Sequence, residues 1–343
     1  LALRVIETRQ LLYIVSMFLI VQFVGLLIAT QVFSGTVFQQ SAALQIESTF
    51  SGGVEYLILI IIMAFVFSVI LSFFFKFRKS VPSTRPDRFF MLFEIFIVGY
   101  TTYILALLLI VAATKGSVLN VLIEGNPSIG ALSLALACAL LLVAAKLKWP
   151  RLRNLTAITV SVGAGLAFGM FFGLLLSFWL ALIFMALLAI YDFIAVFITK
   201  HMVTLADAAV SNNLSLMIMA NEIEAVPLGS LNKTELAEYL KVKKEMAARG
   251  PLSRAVIQSG MVPIPARTAL GTGDLMVPLM LAVSAYTVDL NFTLSFVVIL
   301  GSVLGLCITM WVLKKYKRPL PAIPFLLFGI VVALGIFFAL KAI

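Results

Sequence analysis

Charge is scarce in this chain. Of 343 residues only 12% are Asp, Glu, Lys or Arg, about half of the roughly 25% carried by ordinary soluble domains. There is a single histidine, His201, and there are two cysteines, Cys138 and Cys307. One histidine and no His-Glu-x-x-His pattern leave zinc proteolysis without ligands. A Ser-His site would have to draw on a residue just beyond an apolar run. Both cysteines lie within apolar runs and read as small buried hydrophobes, so neither a disulfide nor a metal site is expected of them.

Long apolar runs are what the chain has instead. Hydrophobic residues make up 62% of it, and nine runs of roughly 18 to 25 residues are each long enough to cross a hydrocarbon layer about 30 Å thick at 1.5 Å per helical residue. They fall near Leu11 to Phe33, Tyr56 to Phe75, Phe89 to Ala113, Ile129 to Ala145, Leu155 to Leu174, Leu176 to Ile198, Leu270 to Leu290, Phe292 to Leu313 and Ile323 to Leu340. The chain therefore reads as an all-α polytopic membrane protein with nine transmembrane helices. Its first run is too long, and its flanks too ordinary, for a cleaved signal peptide, and no targeting segment is expected.

The formal net charge of +10 does not point to nucleic acid, because the basic residues are scattered over short connections rather than clustered on a soluble domain. They mark topology. With nine spans, 23 of the 25 Lys and Arg fall on one side, among them Arg4, Arg9, the eight between 200 and 267 and the four between 314 and 318. Only Lys115 and Lys341 fall on the other. The positive-inside rule then makes the N-terminus and the 200–267 loop cytoplasmic and the C-terminus exterior. The organisation expected is a six-helix membrane portion, 1–199, a cytoplasmic loop, 200–267, and a three-helix membrane portion, 268–343. The two membrane portions form one integrated domain.

Against this background two acids stand out. Asp274 sits in Leu270-Gly-Thr-Gly-Asp-Leu-Met-Val-Pro278, at the head of the seventh run. An Asp at the centre of a membrane helix costs roughly 2.5 to 3.5 kcal/mol on insertion scales, so it is either paired structurally with a neighbouring helix or used for proton, ion or bond-breaking chemistry. Gly271 and Gly273 remove bulk beside it, leaving room for another backbone, and each weakens a helix by about 1 kcal/mol relative to Ala. The second acid, Asp192, follows Tyr191 near the end of the sixth run. Asp192 stands eight residues before Lys200 and Asp274 seven after Arg267, so helical rise puts both about 11 to 12 Å inward from one face. They can meet if the sixth and seventh helices are adjacent.

Other stretches bear on how the site is held. Gly165, Gly169 and Gly173 repeat a small residue every fourth position, which permits close helix contact, and a short turn near Gly173 to Ser177 makes the fifth and sixth spans neighbours. Gly301 and Gly305 repeat the spacing in the eighth span. In the 200–267 loop a capping box at Asn232-Lys-Thr-Glu235 predicts a helix over Glu235 to Arg249. The prolines of Met261-Val-Pro-Ile-Pro-Ala266 exclude helix there and leave an edge strand or a linker. Lys314 to Arg318 reads as an anchor on anionic headgroups of the bilayer. Then Pro319, Pro321 and Pro324 leave carbonyls without helical partners at membrane depth, tolerated only against protein or a water-filled cavity, on the same face as the two acids.

Two neighbouring carboxylates share one proton, which places an acid and a base in one site. The ionised member can take a proton from a water attacking a peptide carbonyl, while the protonated member donates to the carbonyl oxygen. No cofactor or metal is required. Tyr191-Asp192, Gly271-Thr272-Gly273-Asp274 and Pro321-Ala322-Ile323-Pro324, in that order, resemble the signature set of the presenilin and signal peptide peptidase family of intramembrane aspartyl proteases. With its N-terminus read as cytoplasmic and no large loop insertion, the chain looks most like an archaeal presenilin homologue. Ile323 stands where the family has Leu.

The resemblance implies a presenilin-like fold and an active site opening toward the cytoplasm in the cell membrane. It further implies Asp192 and Asp274 as the catalytic pair, with Tyr191, Gly271, Gly273, Pro321, Ala322, Ile323 and Pro324 beside the substrate, and single-span transmembrane proteins as substrates. No partner subunit is demanded, and a homo-oligomer is compatible with the chain. The rival class is a proton- or ion-coupled secondary transporter, which also uses paired intramembrane carboxylates near broken helices. It would favour a midplane site and an internal repeat, and the sequence offers neither.

Overall fold

The computed structural model describes residues 2–34, 88–113, 129–148, 153–199, 202, 217–227, 261–289, 291–316 and 320–342. The expected span over Tyr56 to Phe75 and the expected helix over Glu235 to Arg249 lie outside the described residues.

Apolar runs become helices because hydrocarbon offers no partner to a backbone N–H or C=O, and the helix satisfies both within the segment. Eight helices are described: α1 (Ala2–Ser34), α2 (Arg88–Ala113), α3 (Ile129–Lys148), α4 (Arg153–Leu175), α5 (Phe178–Phe193), α6 (Thr272–Asp289), α7 (Phe292–Tyr316) and α8 (Ile323–Ala342). Five stretches, the third running beyond α5 into the segment that follows it, are long and apolar enough to cross a membrane: Leu12–Val32, Ile158–Leu175, Phe178–Ile198, Phe292–Leu313 and Ile323–Ala342. Shorter apolar stretches run over Ile95–Ile110, Ser133–Ala144 and Thr272–Val288. At the end of α7, Lys315 Nζ lies 5.2 Å from the centre of the Trp311 ring, a cation–aromatic pairing suited to a membrane–water boundary.

The chain divides into two compact units. The smaller comprises Leu1–Ile14 and Met219–Leu270. Its regular feature is a two-stranded sheet of β1 (Met217–Pro227) and β2 (Met261–Gly271). Of the two alternatives for Met261 to Ala266 the strand is the one realised, and it runs five residues further, to Gly271. The seventh helix therefore begins at Thr272 rather than Leu270, and the residues from Arg267 to Gly271 advance at the strand rise, not the helical rise used to estimate depth from sequence. The sequence of Met217–Pro227 announces β1 only weakly, since alternation holds over Glu222-Ile-Glu-Ala225 but not through the apolar run Met217 to Ala220 or the polar pair Asn221-Glu222.

The larger unit, Val15–Ile218 with Gly271–Ile343, is built around α6. This helix packs against α4, α5, α7 and α8, while α2 packs on α3 and α4, and α5 on α8. From Leu279 to Ala285 every residue of α6 is wholly buried, and apart from Ser284, whose hydroxyl bonds the Leu281 carbonyl, the stretch is apolar because all its faces meet protein. Its closest neighbour is α4, and the glycine stripe explains how. A Cβ on Gly165 would stand 3.0 Å from Leu275 Cβ, one on Gly169 2.9 Å from Leu279 Cδ2, and one on Gly173 2.6 Å from Val283 Cβ. The three glycines form a groove for a ridge of side chains four residues apart. The stripe thus serves the seventh span and not the sixth, whose contact with α4 includes the Phe172 and Phe184 rings, 6.5 Å apart beside the connecting turn. That turn falls at Leu176 and Ser177, with Ser177 extended before α5 begins.

A second glycine interface joins α7 to α8. A Cβ on Gly301 would meet Ile330 Cα at 2.7 Å, one on Gly305 would meet Leu326 Cα at 2.6 Å, and Gly329 faces both glycines from the other side. Backbone lies on backbone here. Ser295 of α7 donates through its hydroxyl to the Ala282 carbonyl of α6 at 2.8 Å, which fastens the pair to the central helix.

Candidate active site

Asp274 is the third residue of α6, where the helix leaves four N–H groups without helical partners. Its side chain reaches back, and the Gly271 N–H donates to Asp274 Oδ2 at 3.3 Å. This is the half of a capping box in which the third residue serves the residue just before the helix. Gly271 is thereby the end of β2 and the cap of α6 at once. Its Cβ position would lie 3.4 Å from the same carboxylate oxygen, whereas a Cβ on Gly273 would meet nothing within 4 Å, and Gly273 is exposed. One glycine abuts the acid and the other faces open space.

Four residues beyond Asp274 is Pro278, inside α6. Proline has no N–H, and its ring crowds the carbonyl four residues earlier, which is that of Asp274. The helix therefore lacks one rung where it carries the acid. The next carbonyl, that of Leu275, accepts a bond from Gln22 Nε2 of α1 at 3.1 Å.

Asp192 lies one residue before the end of α5 and is buried. Immediately after, Ile194–Ile198 winds as a π-helix, closed by the Thr199 N–H on the Ile194 carbonyl at 3.0 Å. Such wide turns occur often at functional sites. Asp192 Oδ2 accepts a bond from the Ile323 N–H at 3.3 Å. Ile323 is the first residue of α8, so this acid also sits at the positive end of a helix. Pro321 helps place that N–H: Pro321 and Ala322 are not helical, and the chain turns into α8 with Phe325 and Leu326 donating back to the Ala322 carbonyl.

The two acids belong to packed helices, α5 and α6, and lie close enough for the charge of one to act on the other. The Gly271 and Ile323 bonds, each 3.3 Å, lie just beyond the usual 2.7 to 3.2 Å range for N–H···O; they steer the carboxylates without saturating them. Tyr191 is half-buried beside Asp192, as are Gly271 and Pro324, while Pro321, Ala322 and Ile323 are buried. Asp192, Asp274 and the Pro321 to Pro324 segment, read from sequence as one constellation, are thus brought together, with the Ile323 amide on Asp192.

A family described as signal-peptide peptidase, presenilin aspartyl protease matches residues 15–342. The chain belongs to this family. It is accordingly an aspartic endopeptidase of the presenilin type and an integral membrane protein. Thirteen chains of solved structures match it. Two are described as structures of a presenilin family intramembrane aspartate protease, in C222 and P2 space groups. The first is 20% identical, with a TM-score of 0.51, over 96% of this chain and 99% of that one. The second is 19% identical, with a TM-score of 0.50, over 95% of this chain and 96% of that one. At this identity they speak for a presenilin-type fold. No curated protein matches the chain.

Gln22 is the residue near the site that the sequence reading left unmarked. The available signal was a lone amide in the apolar run Ile20-Val-Gln-Phe-Val24. Such a side chain within a membrane helix finds a partner on another helix.

Proposed function

We propose that this presenilin-family protein hydrolyses peptide bonds within transmembrane helices of substrate proteins, with Asp192 and Asp274 as its acid–base pair. The observation that carries the reading is the pairing itself: two carboxylates on adjacent helices, each accepting a backbone N–H at a helix start. The ionised member of the pair removes a proton from a water as the water oxygen attacks the substrate carbonyl carbon. The protonated member gives its proton to the carbonyl oxygen, and a tetrahedral diol forms. Collapse of the diol breaks the C–N bond, with one carboxyl returning a proton to the departing amine and the other taking one from the diol. The roles belong to the pair rather than to either residue.

A peptide bond inside a substrate helix has its carbonyl hydrogen-bonded and sterically covered, so the substrate must unwind locally before attack. The open side of Gly273 and the segment Pro321 to Pro324 with Tyr191 are where an unwound backbone would lie. In this reading nine helices span the membrane, the N-terminus and 200–267 are cytoplasmic, and the C-terminus is exterior. The portions 1–199 and 268–343 act as one membrane domain. The pair opens toward the cytoplasmic face of the cell membrane, single-span proteins are the substrates, and no obligatory partner subunit takes part.

The test is cleavage of a single-span substrate by the purified full-length protein in detergent, comparing wild type with Asp192→Asn and Asp274→Asn. Both variants are expected to fold and to lose cleavage, and hydroxyl-bearing peptide analogues of the diol should inhibit the wild type. Cleavage surviving both substitutions refutes the proposal. Uptake of a solute into liposomes that depends on both acids, without cleavage, would instead establish the transporter.

A further inference from the structure

Gln22 is wholly buried in α1, and its Nε2 donates to the Leu275 carbonyl, 253 positions away along the chain. The other atom of the amide, Oε1, is buried with no hydrogen-bond partner. Flipping the amide would not help, because Oε1 would then face the Leu275 oxygen, acceptor against acceptor. The orientation is fixed by chemistry: one donor used, one acceptor stranded.

That arrangement is a poor way to stabilise a helix packing. A neutral hydrogen bond returns less than a buried, unmade acceptor costs, and methionine would fill a similar volume with no polar atom to strand. What the amide provides that methionine cannot is a donor aimed at one carbonyl. The carbonyl it meets is the one following Asp274, in the turn where Pro278 removes a rung and pushes on the Asp274 carbonyl. With that rung missing, the first turns of α6 are held by fewer internal bonds than a helix start normally has. Two contacts bear on the turn from outside its own ladder: the Gly271 N–H on the Asp274 carboxylate and the Gln22 amide on the Leu275 backbone. Around the same turn, Gly165 lets Leu275 seat against α4, and Val21, next to Gln22, lines that seat.

We infer that Gln22 is a positioning residue for Asp274: its amide holds the proline-interrupted start of α6 so that the carboxylate is presented to Asp192. The inference rests on Asp192 and Asp274 being the catalytic pair. Gln22 touches neither the reacting atoms nor the carboxylate and acts through the Leu275 carbonyl alone.

The experiment compares wild type, Gln22→Met and Gln22→Glu as full-length protein in detergent, with steady-state cleavage of a single-span substrate and thermal unfolding measured on each. Gln22→Met is expected to keep or raise the Tm, to leave KM within about twofold and to lower kcat by about tenfold or more, since misplacing a reacting group by as little as 1 Å can cost about a hundredfold. Gln22→Glu, whose neutral form offers Leu275 an O–H, is expected to recover much of that loss. Wild-type kcat in Gln22→Met overturns the inference. So does a loss of kcat that tracks a fall in Tm and is not recovered by Glu, since that describes a structural residue. Asp192→Asn and Asp274→Asn run alongside separate the two levels. If they cleave, the catalytic pair is wrong; if they are inactive while Gln22→Met is fully active, only the role of Gln22 falls.

Discussion

The glycine interface between α7 and α8 predicts that adding one methyl group far from the substrate will disable the site. In Gly305→Ala the new Cβ would stand 2.6 Å from Leu326 Cα and 2.9 Å from the Phe325 carbonyl carbon. Ordinary carbon–carbon contact is about 3.5 to 4.0 Å, so α8 must retreat from α7 by about 1 Å, and backbone atoms have no rotamer by which to yield. Overpacking of this kind costs about 1 to 3 kcal/mol. The retreat also moves the start of α8, three residues before Leu326, where the Ile323 N–H holds Asp192 at 3.3 Å. At that length little extension is left before the bond is lost. Stability should therefore fall by about 1 to 3 kcal/mol, and kcat/KM by about tenfold to a hundredfold. Gly335→Ala, in α8 itself, is the control. A Cβ there meets nothing within 4 Å, so the substitution should stabilise by up to about 1 kcal/mol through helix propensity and leave cleavage unchanged. The assay pairs thermal unfolding in detergent with cleavage of a single-span substrate. Wild-type activity and Tm in Gly305→Ala would refute the claim that α8 is seated by backbone contact.

Gly273→Leu should unfold within a degree or two of wild type, because nothing lies within 4 Å of its Cβ position, yet cleave poorly because the leucine fills the space an unwound substrate would use; unchanged cleavage removes that role from Gly273. Among the described residues β2 pairs with β1 alone, and an extended substrate could pair along its other edge. Ile264→Pro, which removes a backbone donor from the strand, should raise KM more than it lowers kcat, and an unaltered KM would separate β2 from substrate binding.

The sequence was most informative where polarity changes sharply. Spans were legible because a run such as Phe292 to Leu313 has no other use, and α7 ends within three residues of the expected boundary. Asp192 and Asp274 were legible because an acid in hydrocarbon is expensive. What could not be read was which face of each helix meets which neighbour. In a soluble protein the buried stripe differs chemically from the wet one, but lipid is as apolar as a protein core, so the contrast vanishes. Leu275 is wholly buried and Leu304 is 55% exposed, with no difference in residue type to tell them apart. For the same reason the glycines of α4 revealed close packing but not that α6 was the partner. The start of α6 was misjudged by two residues because Leu270 is apolar in a strand as much as in a helix, and Gln22 passed unremarked because an amide carries no charge.

The unequal wrapping of α6 and α8 also sets how freely each can change over time. Phe328, Val331, Ile336 and Leu340 of α8 are each more than half exposed, while from Leu279 to Ala285 α6 has no exposed atom to spare. A lipid-facing Phe can become Leu or Val with nothing to repack, whereas any change of volume along α6 is felt at once by the helices packed around it. Descendants of this chain should therefore accumulate differences on the outer face of α8 long before they touch the helix that carries Asp274.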